Sequence, residues 1–143
     1  MKSNDFVALM LKSPLHLFMG NTMLIMVTGR RTGRKISIPV NYYRDGDTLW
    51  IISARRRIWW RNVLAGAPVE LHLRGRDVKG FADVVLDESA VAARIGEYVH
   101  HLPLSAPPLG VRLQKGVANP EDIVRVAKER LFVSVCVSES DFR

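Results

Sequence analysis

The sequence has a single cysteine, Cys136, among 143 residues, and no apolar run approaches the roughly 20 residues that a membrane-spanning helix needs. A lone cysteine cannot form an internal disulfide, which indicates a reducing compartment. The first residues include an acid where a secretory signal would be basic, and no small-residue cleavage site follows. We therefore predict a cytoplasmic protein with no stable membrane insertion. We expect Cys136, within the last apolar run, to be a buried structural thiol.

Several catalytic signatures are also missing. The segment GRRTGRK lacks the Gly-Lys-Ser/Thr ending of a phosphate-binding P-loop, and no G-x-G-x-x-G follows a strand-like run. No G-x-S-x-G nucleophile elbow occurs. The four histidines have no metal-ligand spacing with cysteine or acid, which argues against a metal site: His16, His72, His100 and His101.

The composition is that of an ordinary globular protein with an excess of positive charge. Apolar residues make up 48% and charged residues 24%, and the formal net charge is +7. Such a charge attracts anions of several kinds, including nucleic acid, acidic lipid and phosphorylated cofactors. The charge by itself does not choose among them.

Strand-like sequence dominates the first half of the chain. Pro39 interrupts the second run, which predicts an edge position or a bulge there. The Asp45-Gly46 pair supplies the positive φ that a tight hairpin needs. Six runs of this type are joined mainly by short turns, at residues 22–29, 36–43, 48–53, 68–75, 78–86 and 131–137.

Helical patterns are short and peripheral. They cover residues 5–18, 58–66, 91–102 and 119–130, and a proline-rich connection spans residues 102–110. Together with the strands they predict a mainly β (α+β) fold, a small six-stranded antiparallel barrel with peripheral helices. We divide one domain, 1–143, into an N-terminal helical segment (1–20), a barrel core (21–86), and helices with a closing strand (87–143).

Two basic clusters are candidates for binding. The turn at residues 29–35 has glycines that let backbone N–H groups approach a ligand, and four cations surround them: Arg30, Arg31, Arg34 and Lys35. A solvated basic hairpin is the alternative interpretation of this segment alone.

The second cluster, residues 55–57, strengthens the binding interpretation. Three arginines follow a strand and precede a short helix that carries Trp59, Trp60 and Asn62. Helix N-termini favour anions, arginine forks bind phosphate or carboxylate, and tryptophan offers a flat apolar wall. This combination predicts a pocket for a planar anionic molecule, although at least one tryptophan is expected to pack in the core.

These segments resemble the deazaflavin-dependent nitroreductase family, also described as a quinone reductase family. The resemblance covers about residues 21–76 and rests on a Thr-Gly-Arg…Thr-Gly-Arg turn, a proline in the second strand, and a Trp-x-x-Asn segment before the fourth strand. It implies a split β-barrel like that of pyridoxine-phosphate oxidase, usually dimeric. It also implies the 8-hydroxy-5-deazaflavin coenzyme (coenzyme F-420) as cofactor.

The resemblance suggests how the site is divided. Arg30, Arg31 and Arg34 would hold the phosphate and glutamyl tail, while Ser53 and residues 55–57 would flank the ring or phosphate. Trp59 and Asn62 would help to close the site. The full set of expected cofactor-binding residues is Arg30, Arg31, Thr32, Gly33, Arg34, Lys35, Pro39, Ser53, Arg55, Arg56, Arg57, Trp59, Trp60 and Asn62.

The expected reaction is hydride transfer from the reduced coenzyme to a small-molecule acceptor such as a quinone, an enone or a nitro compound. Tyr42, Tyr43 and Ser53 are the candidates for protonating the acceptor. Three alternatives stay open: an FMN-binding barrel oxidoreductase, a non-catalytic carrier of the coenzyme, and a nucleic-acid-binding surface. We expect no nucleic-acid partner, because the aromatic and basic residues gather at a turn and a helix start. A homodimer is expected instead.

Overall fold

The computed structural model describes residues 21–138; the predicted N-terminal helical segment, 1–20, lies outside them. The six long strands are β1 (Thr22–Thr28), β2 (Lys35–Asp45), β3 (Thr48–Ala54), β4 (Ala67–Leu73), β5 (Arg76–Val85) and β8 (Arg130–Cys136). They form a closed barrel in the order β1-β2-β3-β8-β5-β4, and every neighbouring pair is antiparallel. The predicted barrel is therefore confirmed.

The barrel is filled by alternate residues of its strands, as a period of two requires. In β4, Val69, Leu71 and Leu73 are buried, and the residues between them are half-buried or exposed. Ile25, Leu49 and Leu71 have no accessible surface. Each such aliphatic side chain contributes roughly 1.5–3 kcal/mol when fully buried.

The sheet is split beside β2. The pairing between β2 and β3 covers only Tyr42–Asp45 of β2, whereas β1 pairs with β2 from Lys35 to Asn41. Pro39 lies in the part of β2 that pairs with β1 alone. The edge position that this proline predicted is confirmed, because its missing N–H costs no hydrogen bond on the unpaired side.

Helices cover one outer face of the barrel. They are α1 (Glu88–His101), α2 (Ala106–Leu109) and α3 (Pro120–Glu129), with 3-10 helices at Trp59–Val63 and Pro103–Ser105. Asn119 begins α3 as predicted, since its side chain accepts a hydrogen bond from the Asp122 amide at 3.1 Å. Beneath α1 and α3 a second apolar cluster includes Tyr43, Ile95 and Phe132.

Two features differ from expectation. Residues 102–110 form short helical turns, and a small hairpin follows them, β6 (Leu113–Gln114) with β7 (Val117–Ala118). The prediction of a buried Cys136 is wrong, because this thiol is exposed. Val135 and Val137 point into the barrel, so the strand period turns the residue between them outward.

Candidate functional site

The turn between β1 and β2 is shaped by its two glycines. Gly33 adopts a positive φ of 69°, and its amide donates to the Gly29 carbonyl at 2.8 Å. A Cβ at Gly29 would lie 3.0 Å from the Thr32 hydroxyl oxygen, so a larger residue would crowd the turn. The glycines thus fold residues 29–34 back on themselves and leave the arginine side chains exposed.

The 3-10 helix that follows β3 is anchored by its tryptophans. Trp59 and Trp60 are 6% and 7% exposed and belong to the barrel core, where at least one tryptophan was expected. The Trp59 indole N–H donates to the Ser53 hydroxyl oxygen at 3.0 Å. This short helix is therefore held against the barrel end, directly after the arginine cluster 55–57.

Asn62 joins the helix to the turn. Its side-chain Oδ1 accepts a hydrogen bond from the Arg30 amide at 3.1 Å, and its Nδ2 donates to the Trp59 carbonyl at 3.0 Å. Residues 30 and 62 are far apart in the sequence, so this contact brings the two basic clusters to one place.

Between the turn and the helix lies a groove of about 820 Å³, which we call the basic groove. It runs beside the part of β2 that β3 leaves unpaired, because Ile36 and Ile38 contribute to its floor. Its lining consists of Gly29, Arg30, Arg31, Thr32, Ile36, Ile38, Arg56, Arg57, Ile58, Trp59, Arg61 and Asn62.

The charged side chains that line the basic groove are all positive. Five arginines line it and no carboxylate does, within the part of the chain that the structure describes. None of the five forms an ion pair with another residue in 21–138. Arginine forks bind phosphate and carboxylate in a bidentate manner, so the groove suits a ligand with several negative charges. Ile58, 72% exposed, and Trp59 add apolar surface for a flat ring.

Some of the predicted residues lie elsewhere. Arg34 and Gly33 belong to the turn but do not line the basic groove, and the Lys35 ammonium lies 3.4 Å from Glu70 on the outer face of the barrel. Arg55 points away from its two neighbours. Its guanidinium donates to the carbonyl oxygens of Leu86, Ala127 and Arg130, at 2.6, 3.1 and 2.8 Å. Arg55 therefore satisfies carbonyls at the C-terminal end of α3, where cations are favoured.

The two tyrosines proposed as acids do not reach the groove. Tyr42 lies inside the barrel and Tyr43 on the opposite face, under α1. Burial raises the pKa of both phenols, opposed by Arg74 at Tyr42 and by Arg94 at Tyr43. The Arg94 guanidinium donates to the Tyr43 hydroxyl at 2.9 Å. Both phenols are thus protonated near neutral pH and occupied by structural contacts.

Two further predicted residues play supporting parts in the fold. Pro39 lies between Ile38 and Val40 on β2 and is absent from the groove lining. Trp60 packs in the barrel core, and its indole nitrogen has no hydrogen-bond partner within residues 21–138.

Sequence reasoning missed Arg61, Ile36, Ile38 and Ile58 as groove residues. Arg61 lies in the short helix that directly follows the basic cluster 55–57. This position was the available signal for Arg61. The isoleucines carried no signal of their own, because apolar residues beside a strand end are as common in a core as in a pocket.

A second cavity, of about 580 Å³, lies beside α2 and α3, and the charged side chains that line it are paired with one another. Its Arg112 and Arg125 side chains are both engaged by the buried Asp122 carboxylate, at 2.9 and 3.1 Å. Hydrogen bonds from Arg112 and Arg125 hold the pKa of Asp122 well below its usual range.

Within residues 21–138 no three acidic, histidine or cysteine side chains are grouped as metal ligands, and no helix has the length and hydropathy to cross a membrane.

Comparison with known proteins identifies a family. The sequence model described as F420H(2)-dependent quinone reductase matches residues 12–104, which is more than half of the chain. The match includes the β1–β2 turn and the 3-10 helix that together form the basic groove. No curated protein matches the chain.

Solved structures share the fold at low sequence identity. An F420 reductase is 15% identical with a TM-score of 0.51, over 86% of this chain and 92% of that one. A candidate pyridoxamine 5′-phosphate oxidase from Listeria innocua is 11% identical with a TM-score of 0.50, over 95% and 93%. The Agrobacterium tumefaciens protein Atu2129, of unknown function, is 15% identical with a TM-score of 0.58; the match covers 82% of this chain but 48% of that one. These similarities show a pyridoxamine-phosphate-oxidase-like split barrel.

Proposed function

The chain belongs to the F420H(2)-dependent quinone reductase family, and from that premise we propose that it reduces a small organic acceptor such as a quinone, an enone or a nitro compound. Family membership confirms the resemblance found in the sequence, the class of enzyme, an oxidoreductase, and coenzyme F-420 as the cofactor. The acceptor and the residues that serve the reaction belong to the proposal.

The observation that carries the proposal is the basic groove. Coenzyme F-420 joins a planar deazaflavin ring to a phosphate and a glutamyl tail, so it requires several cations and an apolar wall. The groove supplies five arginines and an exposed apolar side chain, Ile58, beside the edge of the largely buried Trp59. The chemistry of the residues present therefore fits this cofactor.

We assign the two sides of the groove to different parts of the cofactor. Arg30 and Arg31, on the turn, would bind the phosphate and glutamyl tail. Arg56, Arg57 and Trp59 would hold the end that carries the ring, and Arg61 adds a cation beside them. When bound, the reduced coenzyme supplies a hydride at its ring. The protein contributes orientation and charge, which is the main contribution expected where a cofactor carries the reactive centre.

Protonation of the acceptor is assigned to water. Neither a tyrosine nor a histidine is among the described residues that line the basic groove. Ser53 is buried and accepts the Trp59 hydrogen bond, so we assign it a structural part. The hydride acceptor itself would lie against Ile36 and Ile58, where apolar surface adjoins the arginines.

We propose further that the protein is a cytoplasmic homodimer. Leu64 and Phe81 lie outside the groove lining and are exposed by 44% and 51% of their surface, and a second copy of the chain packed there would bury them. Light scattering at micromolar concentration tests the assembly. A monomer at that concentration would contradict the proposed homodimer.

The function is tested by titrating the purified protein separately with coenzyme F-420 and FMN. We expect coenzyme F-420 to bind at least about ten times more tightly, or about 1.4 kcal/mol, because FMN presents a single phosphate to five arginines. Equal or reversed affinities would favour the FMN-binding alternative. Oxidation of the reduced coenzyme by a quinone then separates an enzyme from a carrier, which would bind without turnover.

A further inference from the structure

A chain of three hydrogen bonds connects the β1–β2 turn to the barrel. The Trp59 indole N–H donates to the Ser53 hydroxyl oxygen, and the Asn62 side-chain Nδ2 donates to the Trp59 backbone carbonyl. The Asn62 side-chain Oδ1 in turn accepts from the Arg30 backbone N–H. The distances are 3.0, 3.0 and 3.1 Å. Both ends of the Asn62 side chain are thus used, which fixes its orientation.

This link spans the two sides of the basic groove. The turn carries Arg30 and Arg31, the 3-10 helix carries Arg61, and Asn62 contacts both elements. Like charges this dense repel one another, and without an opposing contact the turn would move away from the helix when no anion is bound. A fixed arrangement reduces the conformational cost of binding, because fewer groups have to be ordered by the ligand.

We propose that Asn62 is a positioning residue that holds the turn, and with it Arg30 and Arg31, opposite the arginines of the helix side. Asparagine suits this position because it offers one donor and one acceptor without charge. An aspartate would still accept from the Arg30 backbone N–H, but its second oxygen would face the Trp59 carbonyl oxygen and repel it. Its negative charge would also offset one positive charge of the groove. The inference rests on the proposed function, since it concerns how the same groove meets the anionic tail.

The chain offers a matched control. Asn41 is also half-buried, and its Oδ1 accepts a hydrogen bond from the Thr22 hydroxyl at 3.0 Å. It joins β1 to β2, the strands on either side of the turn, but it does not line the basic groove. Asn41→Ala therefore removes a side-chain hydrogen bond of a half-buried asparagine without touching the link between the turn and the helix.

The first measurement needs no ligand. Hydrogen exchange of the Arg30 amide should become at least about ten times faster in Asn62→Ala and stay unchanged in Asn41→Ala. Asn62→Leu, of similar size but without a donor or acceptor, should have the same effect and serves as the second variant if the alanine variant folds poorly. Asn62→Asp, which keeps an acceptor oxygen, should restore most of the protection. An Arg30 amide whose exchange is unaffected by Asn62→Ala or Asn62→Leu would overturn the inference, whatever the protein binds.

The second measurement concerns the cofactor. Asn62→Ala should weaken coenzyme F-420 at least about tenfold and change the affinity for a deazaflavin without phosphate or tail by less than about threefold. The substitution should raise the KM for the coenzyme by a larger factor than it lowers kcat. Equal loss of both ligands, or a loss matched by Asn41→Ala, would leave Asn62 a purely structural residue and overturn the inference. If wild-type protein binds no deazaflavin, the proposed function fails, and the exchange measurement still decides the role of Asn62.

Discussion

The Trp59 indole N–H donates a hydrogen bond of 3.0 Å to the Ser53 hydroxyl oxygen, and both residues are buried. The bond joins the end of β3 to the 3-10 helix, across the loop that carries the basic cluster 55–57. Ser53 was a candidate acid in the sequence, and in the structure its oxygen serves to place the tryptophan wall of the groove.

Ser53→Ala should therefore reduce stability more than catalysis. The substitution leaves a buried indole N–H without its acceptor, which costs roughly 1–3 kcal/mol of the free energy of unfolding. Chemical denaturation measures this loss, and kcat should change little. Ser134→Ala, in the half-buried middle of β8, is the control for removing a serine from the same sheet. A large fall in kcat at unchanged stability would instead identify Ser53 as an acid.

Two arginines of the β1–β2 turn are expected to differ in their contribution to cofactor binding. Arg30 lines the groove and Arg34 does not, although both are exposed and lie four residues apart. Arg30→Ala should weaken coenzyme F-420 by roughly 1.5–3 kcal/mol, the worth of a hydrogen bond to a charged group, and Arg34→Ala by much less. Isothermal titration at fixed salt compares them.

The same variants also show which kind of ligand the arginines bind: the tail of the coenzyme, its ring, or a nucleic acid. A deazaflavin without its tail should bind Arg30→Ala almost as well as wild type, whereas Trp59→Ala should weaken both ligands. If Arg34→Ala matches Arg30→Ala, charge density rather than position governs binding. A loss confined to DNA or RNA, with a steep dependence on salt, would show that the arginines form a nucleic-acid surface.

Much of the barrel follows from local sequence. Alternation in residues such as Val69, Leu71 and Leu73 indicates which side of a strand is buried, and Gly46 marks its hairpin by the positive φ it adopts. The strand runs and most turns were predicted for that reason. The β6–β7 hairpin was missed because its two-residue strands are too short to show a period.

The different roles of similar neighbouring side chains could not be predicted from the sequence. Arg55, Arg56 and Arg57 are indistinguishable in the sequence, yet Arg55 turns toward the end of α3, which is formed by residues more than 70 positions away. Tyr42 and Tyr43 face opposite sides of the sheet, as the alternation of side chains along a strand requires. The sequence could not show that α1 covers the second side, so both phenols are buried. Contacts distant in sequence decide such outcomes.

Gly80 predicts how closely β5 and β8 approach. A Cβ at this position would lie 2.5 Å from the Val135 side chain and 2.9 Å from the Cys136 carbonyl oxygen. Gly80→Ala should therefore lower the free energy of unfolding by roughly 1–3 kcal/mol through overpacking. Gly96→Ala is the matched control with the opposite sign. Gly96 lies inside α1 with nothing within 4 Å of its Cβ position, so alanine should stabilise the helix by roughly 0.5–1 kcal/mol. Equal effects from both substitutions would contradict the close strand approach.

Asp122 predicts a pH dependence of stability. Hydrogen bonds from Arg112, and then from Arg125, favour its ionised form in the folded protein and lower its pKa. A group whose folded pKa is depressed stabilises the fold fully above its unfolded pKa, about 3.9 for aspartate, and loses that contribution as the pH falls. Asp122→Asn should thus be less stable than wild type at pH 7, and the difference should shrink below about pH 5.

Denaturant unfolding between neutral and acid pH measures that difference directly. Glu121→Gln is the control, because this neighbouring acid is exposed and should change the pH profile little. A constant difference between wild type and Asp122→Asn at every pH would mean that the variant loses packing rather than an ionised contact. The aspartate would then owe its place in α3 to its fit and not to the two arginines that surround it.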